Sequence, residues 1–480
     1  MPLIKSNPGS DNGSRSAGNP LERLAKAAKP DAAKLATSGR ILSHPARTVT
    51  LGFLLATLVG TALLMLPIAT SGPGGTGFRI ALFTSTSAIS VTGLGVVDTA
   101  GHWSGFGESV LMGLMQLGGL GIMTATSLLG LVVARRLGLR SRLLVAAETG
   151  TLDLGTIRRL LYNVLRISLL IEAITWLALS LRLALGYDEP LGRAVYLGLF
   201  HSISAYNNGG FALWPDSLVR FGADVWLLAP ITIAFVLGAL GFPVLLELLR
   251  GRGPSGLSVH TRLTLLAFGV LAIAGPALVL FGEWNNQLSL GIHGGAGSRL
   301  TAGIFSGLTA GSAGFNVIDY GAVNPVTLLG TDLLMFIGGG SGGTAGGIKV
   351  GTVAVLALAV ISEVRGDDDT EVFGRRLTTT TIRQALTVTV LATAGVLLGT
   401  FALLALSPVE FDAGLFEVVS AFSSSGLSTG ITGSLPAPAQ YLLSALMFIG
   451  RVGPVTAATA LALRQSRKLY RYPETRPLVG

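Results

Sequence analysis

Three sets of residues in this chain have types and spacing that could do chemistry. The densest is the stretch from Ile337 to Val350, IGGGSGGTAGGIKV, where Gly338, Gly340 and Gly343 fit G-x-G-x-x-G. Glu363 follows about 20 residues on, where a dinucleotide ribose would need an acid. A P-loop would instead need Lys directly after its last glycine, and Ile348 separates Gly347 from Lys349. The second set is the acids inside apolar runs, Glu108, Glu172, Glu247 and Asp332, which an intramembrane enzyme would use; none is paired at helical spacing. The third is Arg451, alone in MFIGRVGPVT with no acid nearby in sequence. Cysteine is absent, which excludes thiolate metal sites and cysteine nucleophiles, and His44, His102, His201, His260 and His293 form no metal-ligand pattern.

The elements that must position these residues are membrane helices. Of 480 residues, 50% are hydrophobic and 12% charged, with a mean hydropathy of +0.65. Seven stretches have the roughly 20 apolar residues a bilayer crossing needs: 49–69, 106–134, 160–185, 225–249, 263–281, 385–406 and 441–463. An eighth, 326–361, is cut by the glycine run. A dinucleotide fold needs a strand before its glycines and a solvent-exposed crossover after them, so this context argues against a nucleotide site in the chain. The net charge of +9 suggests nucleic acid until its placement is read. Alternate connections hold most of the Lys and Arg, leaving Arg79, Arg182, Arg193, Arg220 and Arg299 for the other side. That asymmetry predicts both termini in the cytoplasm and needs no nucleic acid to explain it. Residues 1–44 read as a basic, mobile tail with a short amphipathic helix around Leu21 to Ala36, and 466–480 as a second cytoplasmic tail.

Four segments repeat between the crossings: FTSTSAISVTGL from Phe83, FHSISAYNNGGF from Phe200, FSGLTAGSAGF from Phe305 and FEVVSAFSSSGL from Phe416. Each begins with Phe, has Ala at its sixth position (Ala88, Ala205, Ala310, Ala421), and ends with Gly followed by Leu or Phe. Glycines that merely let helices approach closely would not explain the shared Phe and Ala. About ten mildly polar residues cannot span a bilayer, and non-helical backbone at membrane depth must be buried or line a water-filled cavity. The unit predicted is therefore helix, short re-entrant helix, glycine turn, helix. Its boundaries fall at 45–140, 141–252, 253–366 (with an intramembrane loop at 338–347) and 367–465. The fold class is an all-α polytopic membrane protein with four such repeats around a pseudo-fourfold central pore. Four glycine turns on one axis would present backbone carbonyls to an ion, and short helices with their partially negative ends toward the axis would favour a cation.

At these residues the chain resembles the Trk/Ktr/HKT superfamily of potassium transporter membrane subunits, and GRVGPVT at Gly450 to Thr456 is most similar to the Ktr branch. The resemblance runs from about residue 45 to 465 through VTGLGVVD, SAYNNGGF, SAGFNVID, SSSGLSTG, GGGSGGTAGGIKV and GRVGPVT in order. It implies a potassium filter made of Val91, Thr92, Gly93 and Leu94; Asn208, Gly209, Gly210 and Phe211; Ser312, Ala313, Gly314 and Phe315; and Ser424, Ser425, Gly426 and Leu427. It also implies a homodimer in the bacterial inner membrane above a cytoplasmic nucleotide-binding regulatory ring of the KtrA/TrkA kind. Any nucleotide would then act on that partner, and this chain would carry no cofactor, only K+ as substrate. In plant relatives Ser in place of the first filter glycine accompanies sodium selectivity, so Gly93 favours potassium. None of the turns reads TVGYG and three lack Thr before Gly, which predicts some sodium or rubidium passage.

An unpaired cation at mid-membrane costs about 3 kcal/mol and faces protein or water unless it snorkels to the surface. Arg451 lies about twelve residues from the end of its apolar run, too deep to snorkel easily, and carbonyls of the broken glycine segment are available partners. The gate expected is a loop of Gly338, Gly339, Gly340, Ser341, Gly342, Gly343, Thr344, Ala345, Gly346 and Gly347 across the pore beneath the filter. Arg451 is its latch, and Lys349 is either a second latch or a snorkelling side chain. Asp98, Asp216 and Asp319, after three of the turns, either concentrate cations or are simply solvated. Glu417 is expected to offset its pore-helix dipole, and His201 to be a hydrogen-bonded packing residue. The rival reading is an ion-coupled (Na+ or H+) secondary potassium transporter, whose broken helices also build mid-membrane sites but in two inverted halves.

Overall fold

A computed structural model describes residues 45–136, 154–251, 253, 256–311 and 313–463. The Leu21 to Ala36 helix, both tails and Ser312 lie outside the described residues. Contacts divide the chain into a unit Met1–Thr48, described only over 45–48, and a unit Val49–Gly480.

The first repeat comprises α1 (Pro45–Leu64), the short pore helix α2 (Phe78–Ser90) and α3 (Gly105–Arg136). The second comprises α4 (Leu154–Gly186), pore helix α5 (Leu191–Tyr206), α6 (Val225–Leu240) and α7 (Phe242–Leu249). In the third, α8 (Val259–Glu283) and pore helix α9 (Ala296–Thr309) precede α10 (Pro325–Phe336), the glycine loop and α11 (Val350–Arg365). The fourth is α12 (Thr379–Leu406), pore helix α13 (Phe411–Ser423) and α14 (Ala437–Leu463). Among the described residues five helices, α1, α3, α4, α8 and α12, are long and apolar enough to cross a bilayer alone. Their exposed Leu, Val and Ile side chains face where lipid would be, as in α12 with Leu397 62% and Phe401 75% exposed.

The expectation of one continuous crossing over 225–249 is corrected: α6 and α7 meet at 103°. The break is Gly241, at φ +94°, a conformation closed to ordinary L side chains. Pro243 follows in the first turn of α7, where its missing N–H costs nothing. The 49–69 run also ends early, because Pro67 cannot continue α1 and instead opens a 3-10 turn, Pro67–Ala69. Between α11 and α12 lies one small hairpin, β1 (Glu371–Val372) antiparallel to β2 (Arg375–Arg376). Its Phe373 and Gly374 both take positive φ (49° and 71°), as a two-residue type I′ connection requires.

The shared positions of the repeat are its core. Phe83, Phe200, Phe305 and Phe416 are at most 2% exposed, and Ala88, Ala205, Ala310 and Ala421 are fully buried. Phe305 meets Phe235 of α6 edge-on at 5.9 Å, and Phe416 meets Tyr320 at 5.6 Å. These two rings thus seat the third and fourth pore helices against the preceding repeat.

Candidate functional site: a ring of glycine turns above a tethered loop

After three of the pore helices comes a left-handed residue followed two positions later by a left-handed glycine: Val91 and Gly93 (φ 57°, 91°), Asn208 and Gly210 (61°, 68°), Ser424 and Gly426 (51°, 90°). In the third turn Gly314 has φ 72°. Positive φ at β-branched Val91 is strained and must be held by its surroundings.

The four glycines close a ring. A methyl group on Gly93 would lie 2.6 Å from the Gly209 carbonyl oxygen, one on Gly210 3.0 Å from that of Ala313, and one on Gly314 2.6 Å from that of Ser425. One on Gly426 would strike the Thr92 carbonyl oxygen, which returns to the first turn. Every contact is to the residue preceding the next glycine, so four equivalent carbonyls stand at one level.

A position that sequence reading passed over supports three of these turns. The residue before each shared Ala is a hydroxyl side chain: Ser87, Ser204, Thr309 and Ser420. Ser87 Oγ accepts the Gly93 N–H at 3.1 Å, Ser420 Oγ accepts that of Gly426 at 3.0 Å, and Ser204 Oγ donates to the Phe211 carbonyl at 2.8 Å. Its fourfold recurrence at one offset was the available signal.

Beyond the glycines opens a cavity of about 300 Å³, lined by Gly93, Gly210, Gly314, Gly426 and the segments that follow them, including Asp98 and Asp319. Both acids are turn caps: Asp98 accepts from the Ala100 and Gly101 N–H groups, and Asp319 from that of Gly321. Asp216 pairs with Arg220 at 2.6 Å. Burial would raise its pKa, but the Arg220 hydrogen bonds and charge outweigh that and hold the carboxyl below its usual range.

Glu417 does not serve the helix dipole as expected, because the acid in the first turn of α13 is Asp412. Glu417 is fully buried and binds the segment after the fourth turn through Ser428 Oγ, the Thr429 N–H (3.2 Å) and Thr432 Oγ1 (2.8 Å). His201 is buried and stacked on Trp214 at 4.1 Å; Nδ1 lies 2.7 Å from the Leu197 carbonyl and Nε2 accepts the Leu213 N–H at 3.2 Å. It packs the second pore helix.

The glycine loop lies on the other face of the ring, against the residues that precede the glycines. It is tied to the α6–α7 break by Gly340 N to Ala239 O (2.8 Å), Thr344 N to Gly238 O (3.0 Å) and Phe242 N to Gly342 O (3.2 Å). A methyl on Gly346 would strike the Ser423 carbonyl oxygen, so the loop touches the end of the fourth pore helix at backbone distance. Asn208 Nδ2 donates to Thr344 Oγ1 at 2.6 Å, and Thr344 Oγ1 donates to the Tyr206 carbonyl at 3.1 Å.

Two cations, the buried Arg451 and the half-buried Lys349, hold three consecutive loop carbonyls. Arg451, 3% exposed, donates from Nη1 to Thr344 O at 2.5 Å, and Lys349 Nζ donates to Ala345 O at 2.6 Å and Gly346 O at 3.2 Å. Arg451 Nε and Nη2 find no partner among the described residues. Lys349 therefore binds the loop rather than snorkelling. The other intramembrane acids are apart: Glu108 accepts from Tyr196 Oη at 2.5 Å and Glu247 from Ser258, while Glu172 lies among amides. Among the described residues no group of three His, Asp or Glu could hold a metal.

Four pore-loop units around a glycine ring define a class, the polytopic α-helical membrane proteins built from pore-loop repeats. Within that class residues 59–472 match the TrkH family, described as cation transport protein, and the chain belongs to that family. It is 38% identical to Ktr system potassium uptake protein B of Bacillus subtilis (strain 168), over 91% of this chain and 97% of that one. It is 37% identical to the protein of the same description from Vibrio alginolyticus, over 90% and 94%. The potassium/sodium uptake protein NtpJ of Enterococcus hirae is 30% identical over 91% and 97%. The crystal structure of the potassium transporter TrkH from Vibrio parahaemolyticus superposes with a TM-score of 0.67, covering 87% of this chain and 84% of that one at 17% identity, a likeness of fold.

Proposed function

We propose that this protein is the ion-translocating membrane subunit of a Ktr-type potassium uptake system and conducts K+ through the glycine ring. The observation that carries the proposal is the cyclic contact of Gly93, Gly210, Gly314 and Gly426 with the carbonyls of Gly209, Ala313, Ser425 and Thr92. Carbonyls at one level can replace part of an ion's hydration shell, and fixed backbone dipoles suit a monovalent cation without binding it too tightly to leave. Ser312, Ala313, Gly314 and Phe315 complete the four turns. The NtpJ relative, a potassium/sodium uptake protein by description, agrees with passage of some sodium.

The loop from Gly338 to Gly347 is the gate, held shut by Arg451 and Lys349. The repeats divide at 45–140, 141–252, 253–366 and 367–465. Both termini lie on the cytoplasmic side of a bacterial inner membrane, the chain pairs as a homodimer, and a cytoplasmic nucleotide-binding subunit opens the gate.

Purified protein in liposomes, loaded with K+ on one side and Na+ on the other, tests the reading. Flux that follows the electrochemical gradient, prefers K+ and rises when the cytoplasmic partner and its nucleotide are added is the expected result. Concentrative uptake driven by a Na+ or H+ gradient would replace it with a coupled transporter.

A further inference from the structure

Among the buried carboxylates that neither the ring nor the gate uses, one touches a turn of the ring from behind. Glu172, in the middle of α4, is 6% exposed, and among the described residues it has no cationic partner. Its partners are amides. Gln116 Nε2 of α3 donates to both carboxylate oxygens at 3.0 and 3.2 Å, and Asn207 Nδ2 donates to Oε1 at 3.2 Å. Asn207 Nδ2 also reaches Gln116 Oε1 and the Ile203 carbonyl, each at 2.9 Å. Asn207 caps the second pore helix at φ −78°, ψ −3°, one residue before Asn208 turns left-handed and three before Gly210. Its side chain is therefore held from behind by Glu172 and Gln116 together.

The same piece of α3 touches two turns. A methyl on Gly119 would strike Asn207 Oδ1; one on Gly118 would strike the Ile89 carbonyl and come within 2.7 Å of Val91 Cγ2. Residues 116–119 are thus wedged between the first and second turns with no room for a side chain at either glycine. At the position of Asn207 the first and fourth repeats carry Ser90 and Ser423, too short to reach an outer helix. A carboxylate in this setting is costly to bury unless several donors stabilise it, and an apolar side chain of similar volume would fill the space without that cost.

We propose that Glu172, acting through Gln116 and Asn207, is a positioning residue that sets the second turn of the ring and thereby the discrimination between K+ and Na+. The inference rests on the ring being the selective element. Replacing one carboxylate oxygen by an amide sets donor against donor, at Gln116 Nε2 or Asn207 Nδ2, and releases the Asn207 side chain.

The test is the Na+ to K+ permeability ratio, from reversal potentials in bi-ionic liposome recordings, for the full chain and for Glu172→Gln, Glu172→Asp, Asn207→Ser, the double variant Glu172→Gln/Asn207→Ser, and Gly93→Ser. Glu172→Gln is expected to raise the ratio about tenfold, the discrimination a charge-assisted hydrogen bond typically carries. Glu172→Asp, which keeps the carboxylate, is expected to fall between it and the parent. Asn207→Ser should raise the ratio by itself, and Glu172→Gln should then add nothing. If Asn207→Ser leaves the parental ratio, or the Glu172→Gln shift persists in full in the double variant, the proposal is overturned. If Gly93→Ser shifts the ratio while Glu172→Gln does not, the ring stands and the positioning role falls. If Gly93→Ser itself changes nothing, the reading of the ring as the selective element is refuted instead.

Discussion

Replacing Arg451 by alanine should open the path without a partner. In the structure Arg451 makes one charge-assisted hydrogen bond to the loop, Nη1 to Thr344 O, while Nε and Nη2 have no partner among the described residues. A hydrogen bond from a charged donor is worth about 1.5 to 3 kcal/mol. Removing the side chain also removes the cost of burying a cation, so the lower end is the better guide. Lys349 still grips Ala345 and Gly346, so the loop is only partly released. At about 1.4 kcal/mol per factor of ten, the ratio of closed to open loop should fall roughly tenfold. One fixed positive charge also leaves the region next to the ion path, which lowers the barrier to a cation. Potassium or rubidium efflux from proteoliposomes lacking the cytoplasmic partner should therefore rise by about an order of magnitude, with selectivity unchanged because the ring is untouched. Arg451→Lys, with a single ammonium in place of the forked guanidinium, should fall between. If Arg451→Ala protein that is folded and still prefers K+ leaks no faster than the parent, the latch reasoning is wrong.

Gly241→Ala should disturb the gate from a distance: its φ of +94° excludes alanine, and the added methyl would lie 2.5 Å from the Ser341 carbonyl oxygen, so partner-dependent flux should be lost while liposome insertion is retained. Gly210→Ala, at φ +68° and facing the Ala313 carbonyl at 3.0 Å, should abolish K+ flux measured in the same efflux assay. His293, whose Nε2 meets the Val317 carbonyl at 2.7 Å and whose ring lies against Gly222, has its pKa lowered from 6.5 by burial. The unfolded chain then binds the extra proton first as pH falls, so the stability this imidazole contributes is complete above pH 6.5 and declines below it. Melting curves of the detergent-solubilised protein should show a smaller acid-side loss in His293→Asn than in the parent.

Much of the plan could be read from composition and spacing, because a bilayer permits few backbone arrangements and each leaves a strong signal. The shared Phe, Ala and Gly of the four segments located the pore helices, since burial of a large ring, close approach of Cβ and a left-handed turn each demand one residue type. Arg451 was legible because a cation stands out in an apolar run. The break at Gly241 was not: AFVLGALGFPVLL reads as one apolar run, and the backbone bonds that flank the bend, to Gly340 and Gly342, come from a loop a hundred residues away. Asn208 was placed in the second turn, but its side chain's reach to Thr344 depends on which neighbour lies beneath, which sequence order does not reveal. Glu172 was weighed as a catalytic acid and set aside for want of an acidic partner. Its actual partners, Gln116 and Asn207, sit on other helices and leave no local pattern. Glu417 lies beyond the first turn because the helix begins at Phe411, ahead of the shared Phe416.

Fusing four copies of one unit into a single chain lets each copy drift. At the left-handed position before the glycine the chain has Val91, Asn208 and Ser424, side chains of unlike chemistry on nearly alike backbone. Only the third copy interrupts its last helix with a long glycine run. In an assembly of identical subunits such a flap would come in fours, and four of them beneath one opening would collide. A duplicated, diverged chain needs only one, and as the gate proposed above it would work from one quadrant like a single-leaf valve.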